Sequence, residues 1–327
     1  MAGKNIKSIN FSENFLAETQ RRRERKEKLG IIIRNQSINL KSSFAPLRLC
    51  VILFFFISCQ TIPKVPDAFL EDAKYVPLNN GASVYIFADV KRARPILDIM
   101  PLEELNDDMA SQMLNRTDYL AAALFPKESG QRFQLAAWGN YPSTMAGMAF
   151  NMDKNWQSVR TQANQSYWHS SANKLSITMS SKQAFIASSL TDDPFFPIAA
   201  FPGKEIPEGF NSFRKDSPLS FWIENPGPVI ARALTQIGFR FPIQQFFTNL
   251  YEVDVNYEAM IRLQFNNATY ARGTAAVLNL AGNFASNDPI AKLFLSNPPV
   301  QNGNIIDIKT AILTEAELVH VLNMFMF

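Results

Sequence analysis

The sequence predicts an α+β fold: antiparallel sheets with a few packing helices, ordered as two β–α–β–β pseudo-repeats. Several stretches alternate apolar and polar residues with period two and come in pairs joined by short turns, the pattern of half-buried strands in hairpins. Three other stretches place apolar residues three and four apart, the period of an amphipathic helix. The strands are grouped instead of alternating one by one with helices, which argues against a doubly wound parallel sheet. The chain has 327 residues, 47% of them apolar, enough for a sizeable core and too many for wholesale disorder. Two cysteines and two histidines exclude a disulfide scaffold and a zinc framework.

In chain order, residues 1–58 stand apart. Residues 21–28 read RRRERKEK, and Lys41 and Arg48 precede an uncharged apolar run, LCVILFFFIS, from Leu49 to Ser58. Ten residues rise about 15 Å as a helix, half of a bilayer core. The run is therefore too short to span comfortably and has the length of the apolar region of a secretory signal. Phe56-Ile57-Ser58-Cys59 then resembles the lipobox of bacterial lipoproteins, in the relaxed form of spirochaetes, with Phe56 where leucine is usual. That resemblance implies diacylglyceryl transfer to the Cys59 thiol, cleavage before it and acylation of the new amine, hence a stable anchor of two or more chains. Residues 60–66, QTIPKVP, form the polar, Pro-bearing tether that such an anchor needs. The expected organisation is 1–58 as an export signal with a basic extension, removed or lying before the true start. Residues 59–66 follow as the lipidated tether, 67–191 as a first α+β half, 192–216 as a Pro- and Phe-rich connection, and 217–327 as a second half.

The first half begins with a strand, SVYIFAD at 83–89, closed by Asp89. Leu102, Leu105, Met109 and Met113 share one face of an amphipathic helix that carries Glu103, Glu104, Asp107 and Asp108 elsewhere. TDYLAAALF at 117–125 and QRFQLAAWG at 131–139 read as a hairpin around PKESG. Leu175, Ile177 and Met179 alternate with Ser176, Thr178 and Ser180, and QAFIASS completes a second hairpin over 174–188. The connection DDPFFPIAAFPGKEIPEGF, with four prolines and two glycines, reads as irregular. Its aromatics either pack on the core as part of the inter-half connection or, at Phe195, Phe196 and Phe201, form a candidate apolar contact loop for a membrane or a ligand entrance.

The second half repeats the order. LSFWIE at 219–224 is a strand closed by Glu224, and Pro228 is placed to open a helix holding Ile230, Leu234 and Ile237. GFRFPIQQFFTNLY at 238–251 is a second aromatic cluster. Tyr257, Ala259, Ile261, Leu263 and Phe265 alternate as a strand, and YARGTAAVLNL at 270–280 reads as its returning partner. Thr314 and Glu317 fit a capping box that starts a C-terminal helix with Leu318, Leu322 and Phe325 inward.

Known catalytic patterns are missing from the sequence: it has no G-x-S-x-G elbow, no G-x-x-x-x-G-K-[ST] phosphate loop and no G-x-G-x-x-G fingerprint. His169 lies among strand residues and His320 on the C-terminal helix, so neither spacing suggests a metal site. Cys59 is consumed by the lipid and Cys50 leaves with the signal, and no cofactor is implied. Trp138, Trp156, Trp168 and Trp222 sit at strand positions, where aromatics build core more often than they line a pocket. The charge is also uneven. Residues 1–58 hold eleven Lys and Arg against four Asp and Glu, which leaves 21 against 25 in the body, a net of about −4. A mildly acidic body gives no electrostatic case for nucleic acid. The sequence therefore points to a non-enzymatic, lipid-anchored protein of the cell envelope, in the inner or outer membrane, with its body in the periplasm or at the surface. Its expected partners are the membrane, through the lipid on Cys59, and a lipid, other apolar ligand or envelope protein. A surface-exposed host-interaction lipoprotein and an envelope hydrolase of unrecognised type are the alternatives.

Overall fold

The computed structural model describes residues 64–99, 113–125, 132–160, 166–189, 203–227, 242–284 and 292–326, apart from positions 142, 173, 182–183, 225 and 293 within them. All of these belong to one compact unit, Ile62–Phe327. Its strands are β1 Tyr75–Val76, β2 Val84–Asp89, β3 Thr117–Phe125, β4 Arg132–Gly139, β5 Gln157–Arg160, β6 Ser166–Ser170, β7 Leu175–Ser181, β8 Ala184–Ser188, β9 Lys204–Glu205, β10 Leu219–Glu224, β11 Ile243–Val253, β12 Asn256–Phe265, β13 Val300–Asn302 and β14 Ile305–Lys309. The helices are α1 Val90–Leu97, α2 Ser143–Met152, α3 Phe210–Arg214, α4 Ala268–Phe284 and α5 Glu315–Met326. The α+β class expected from the sequence is what the chain adopts.

Twelve strands form one antiparallel sheet in the order β13-β14-β12-β11-β10-β2-β3-β4-β8-β7-β6-β5, and β1 pairs with β9 in a separate two-stranded ribbon. At the middle of the large sheet, β2 and β10 lie side by side with Tyr85 opposite Trp222 and Ile86 opposite Phe221. Both strands are buried on both faces, which is why VYIFAD and LSFWIE read as nearly continuous apolar runs. Outward from this pair, β3, β4 and β8 follow on one side and β11, β12 and β14 on the other.

One face of the sheet packs Val84, Ala88, Leu219, Phe221, Ile261, Leu263 and Ile306 against α1, α4 and α5. Those helices contribute Val90, Ala93 and Ile96, then Ala271, Ala275 and Leu278, then Leu318 and Leu322, each set at helical spacing. Farther along, α2 and its surroundings supply Phe150, Tyr141 and Trp156 over Ile177 and Ala187. The opposite face carries Tyr85, Phe87, Trp222, Phe247, Ala121 and Ile186, covered by Ala68, Val76, Leu78, Ile206 and Phe210. That second cover comes from the N-terminal segment and from the residues just before β10.

The hairpins at 117–139 and 174–188 form as expected. So does the C-terminal helix, whose Thr314 amide donates to Glu317 Oε2 at 2.7 Å while the Glu317 amide returns to Thr314 Oγ1 at 3.4 Å. Residues 270–280 are a correction: they belong to α4, and the hairpin partner of β12 is β11, which precedes it. Ala271, Thr274, Ala275 and Leu278 are the buried positions, a spacing of three and four that no strand produces, and Asn267 Oδ1 caps the Tyr270 amide at 3.0 Å. The connection at 192–216 is a second correction in its later part. Residues 204–205 pair with β1 and Phe210–Arg214 is a helical turn, so Phe210 is core. The cluster at 238–251 supplies strand β11, with Phe246 and Phe247 buried on opposite faces. The helices expected over 102–112 and 230–237 lie outside the described residues.

Candidate functional site

The second face of the sheet ends in a polar pocket beside α3. The chain reaches it through Pro66, a 3-10 turn at Asp67–Phe69 and β1. It returns through Gly203, held at φ +79° with its Cα against the Val76 carbonyl, where a Cβ would collide with backbone. Gly209 at φ +80° then starts α3, whose Phe210 points into the core against Phe87, Trp222 and Phe247. Four residues on, one helical turn above Phe210, lies Arg214.

Arg214 is 7% exposed. Its Nε and Nη2 donate to Asn211 Oδ1 at 3.0 and 2.8 Å, and Nη2 also donates to the Ala68 carbonyl. Its guanidinium carbon lies 5.0, 4.7 and 5.8 Å from the ring centres of Phe69, Phe87 and Phe210. Burial lowers the group from its ordinary value to about 10, so it remains a cation at neutral pH. Among the described residues no carboxylate pairs with it. The ion pairs there involve Lys91, Arg94, Lys204, Lys215, Arg262 and Lys309.

Lys204 shows the contrast. It is as buried as Arg214 and lies 5.6 and 5.3 Å from the Tyr85 and Trp222 rings, but Glu224 neutralises it at 2.8 Å. Burial, with Glu224 nearby, raises the Tyr85 hydroxyl well above the usual tyrosine range.

The cavity in front of Arg214 has a volume of about 210 Å³. Val65, Phe69 and Phe87 give it an apolar flank, while Asn211, Ser217, Ser220 and Tyr119 offer amide and hydroxyl groups. Arg92 and Lys215 stand exposed at its rim with Asp89 and Glu71. Both carboxylates are engaged: Asp89 accepts the Arg92 amide at 3.3 Å as the cap of α1, and Glu71 pairs with Lys215. Deeper in, Ser220 Oγ donates to Asn249 Oδ1 at 2.8 Å and Asn249 Nδ2 to the Phe213 carbonyl, which closes the floor. Such a site can hold an anion or a polar headgroup by charge and hydrogen bonds.

The sequence did not single out Arg214. A signal was present in FNSFR: Phe210, Phe213 and Arg214 lie at helical spacing, so a cation shares the face that buries two aromatics. Cys59 and the loop residues Phe195, Phe196 and Phe201 lie outside the described residues. His169 Nδ1 shares a hydrogen bond with Ser176 Oγ at 2.8 Å across β6 and β7. Trp222 and Trp156 are buried in separate clusters, so these tryptophans pack as core. Among the described residues no group of three His, Cys, Asp or Glu side chains converges, and no helix is long and apolar enough to cross a membrane.

Residues 76–194 match a family model described as "Outer membrane-associated lipoprotein TP0453". The chain is similar to outer-membrane-associated lipoproteins. Two solved structures share its fold. Crystal form III of TP0453 superposes with a TM-score of 0.52 at 18% identity, covering 75% of this chain and 96% of that one. Crystal form I superposes with a TM-score of 0.53 at 16% identity, covering 80% and 98%. No curated protein matches the sequence. The family match bears out the lipoprotein and cell-envelope expectation drawn from the sequence.

Proposed function

We propose that the chain is a lipid-anchored envelope lipoprotein, fixed to the membrane through Cys59, that acts by binding and not by catalysis. The observation that carries this reading is the match of residues 76–194 to an outer-membrane-associated lipoprotein family, which agrees with the Phe56–Cys59 lipobox upstream. The polar pocket beside Arg214 supports a binding role, because it offers a cation and neutral hydrogen-bonding groups without a nucleophile paired to a base. Phe195, Phe196 and Phe201, within a Pro-rich stretch, are proposed to contact the membrane or an apolar ligand.

The anchor is tested by radiolabelled palmitate in the native host. The wild-type protein takes up label and the Cys59→Ala variant does not; equal labelling of the two removes the anchor from the account. Protease treatment of intact cells then separates a body at the surface, which is cut, from one in the periplasm, which is protected.

A further inference from the structure

We propose that the Arg214 pocket binds a phosphate-bearing headgroup, with Arg214 holding the phosphate and Arg92 and Lys215 closing on it from the rim. A buried guanidinium is costly unless charge or a complete set of hydrogen bonds compensates it. Here the compensation is partial. Nε and Nη2 are taken by Asn211 and Ala68, Nη1 makes none of the hydrogen bonds among the described residues, and the three flanking rings supply only their electron-rich faces. Lys204, equally buried on the same face of the sheet, has its own carboxylate. Among the described residues Arg214 has none, and it sits at the wall of a cavity.

The lining selects the anion. Three cations, Arg92, Arg214 and Lys215, face two carboxylates, Asp89 and Glu71, and both carboxylates already have partners. One positive charge is left over. Asn211 Nδ2 and the Ser217 and Ser220 hydroxyls donate to the Ala73 carbonyl, the Leu219 carbonyl and Asn249 Oδ1, so the donors that face an anion are those of Arg92, Arg214, Lys215 and the Tyr119 hydroxyl. Coming from α1, α3 and β3, they suit a tetrahedral oxyanion with many oxygens better than a planar carboxylate with two. Val65, Phe69 and Phe87 give the apolar flank that the glycerol end of a lipid headgroup would meet.

The position of the pocket in the chain names the source. Val65, part of the lining, is six residues after Cys59, so a lipidated Cys59 holds the cavity within about 20 Å of its own acyl chains. This step rests on the lipoprotein reading. A tether of that length lets the pocket reach the headgroup layer, where phosphodiesters supply anions. Free inorganic phosphate shares the chemistry and is the other source.

The test uses the full lipidated protein in a non-ionic, phosphate-free detergent, titrated separately with inorganic phosphate and with dihexanoyl phosphatidylglycerol, followed by phosphorus NMR line broadening. The lipid is expected to bind, and inorganic phosphate to bind more weakly at the same place and compete with it. Arg214→Gln lowers lipid affinity at least about tenfold, the loss expected of a charge-assisted contact. Because Arg214 also ties α3 to Ala68, the exposed double variant Arg92→Gln/Lys215→Gln is measured beside it. It keeps the wild-type circular dichroism and loses affinity severalfold. Lys309→Gln, which removes only the ion pair of the exposed Lys309 on β14 with Glu258 on β12, keeps full affinity. Phosphate binding as tight as lipid binding assigns the site to free phosphate and overturns the membrane source. No binding of either probe, stronger competition by acetate, or a rim variant that binds like wild type overturns the site itself. Palmitate labelling reads the anchor independently, so failure of the pocket and failure of the anchor remain distinguishable.

Discussion

Phe210 shows how a single aromatic side chain fixes the cover of the second sheet face. It has no exposed surface and meets Phe87, Trp222 and Phe247 at ring-centre distances of 5.3, 6.1 and 5.1 Å. Truncation leaves a cavity that the surrounding rings cannot collapse into, so Phe210→Ala is expected to cost about 3–5 kcal/mol. Urea unfolding checks it as a lower midpoint at unchanged slope; a loss under about 1 kcal/mol would mean that α3 is not seated there. Gly203 is the second such residue. At φ +79° with the Val76 carbonyl against its Cα, Gly203→Ala must shift the β1–β9 ribbon, at an expected cost of about 1–3 kcal/mol in the same measurement. Arg214 belongs to this scale too. Its role was hard to read because a cation on a five-residue turn, inside a stretch dominated by proline and phenylalanine, looks like a solvated charge. Only the packing of Phe69 and Phe87 over it shows that it is enclosed.

Helix α5 is held at its start by Thr314 and Glu317, each satisfying the other's amide. Thr314→Ala removes one half of that exchange and is expected to cost about 0.5–2 kcal/mol, seen as a lower thermal midpoint by circular dichroism. Glu317→Gln, which can still accept from the Thr314 amide, is expected to lose less. This box, the 117–139 hairpin and the 174–188 hairpin were legible because each is local: cap, alternation and turn lie within a few residues of one another. Helix α4 was not. Its run of small residues, Ala271, Thr274 and Ala275 with Gly273, carries little periodic contrast, and a strand directly before it invited a hairpin. The true partner of β12 was in view as an aromatic cluster, where Phe246 and Phe247 face opposite sides of the sheet and so hide any alternation. The pairings β2–β10, β4–β8 and β12–β14 join distant segments, and no local pattern announces them.

The whole body responds to alkali through its buried tyrosines. Burial raises Tyr141 to about 12, against the pull of its hydrogen bond with Thr117, and raises Tyr85 further. A group whose folded value lies above its unfolded one, about 10 for tyrosine, stabilises the fold fully below pH ~10 and loses that contribution as pH rises toward the folded value. The urea midpoint is therefore expected to hold to about pH 9.5 and to fall between about pH 10 and 12, with a shallower fall in Tyr141→Phe. A midpoint independent of pH across that window would place both hydroxyls in water. Function is read at this scale as well. Residues 1–58 carry a net positive charge and the residues from 59 onward are mildly acidic, and Arg214, buried and without a carboxylate partner among the described residues, faces a cavity. The account depends first on what happens at Cys59. Intact-mass and N-terminal peptide spectrometry of the protein from its native envelope tests that most directly. The account predicts a chain that begins at Cys59 and is heavier by a diacylglyceryl group and an amide-linked acyl chain. A mature chain that keeps residues 1–58, or begins elsewhere with an unmodified Cys59, would contradict it.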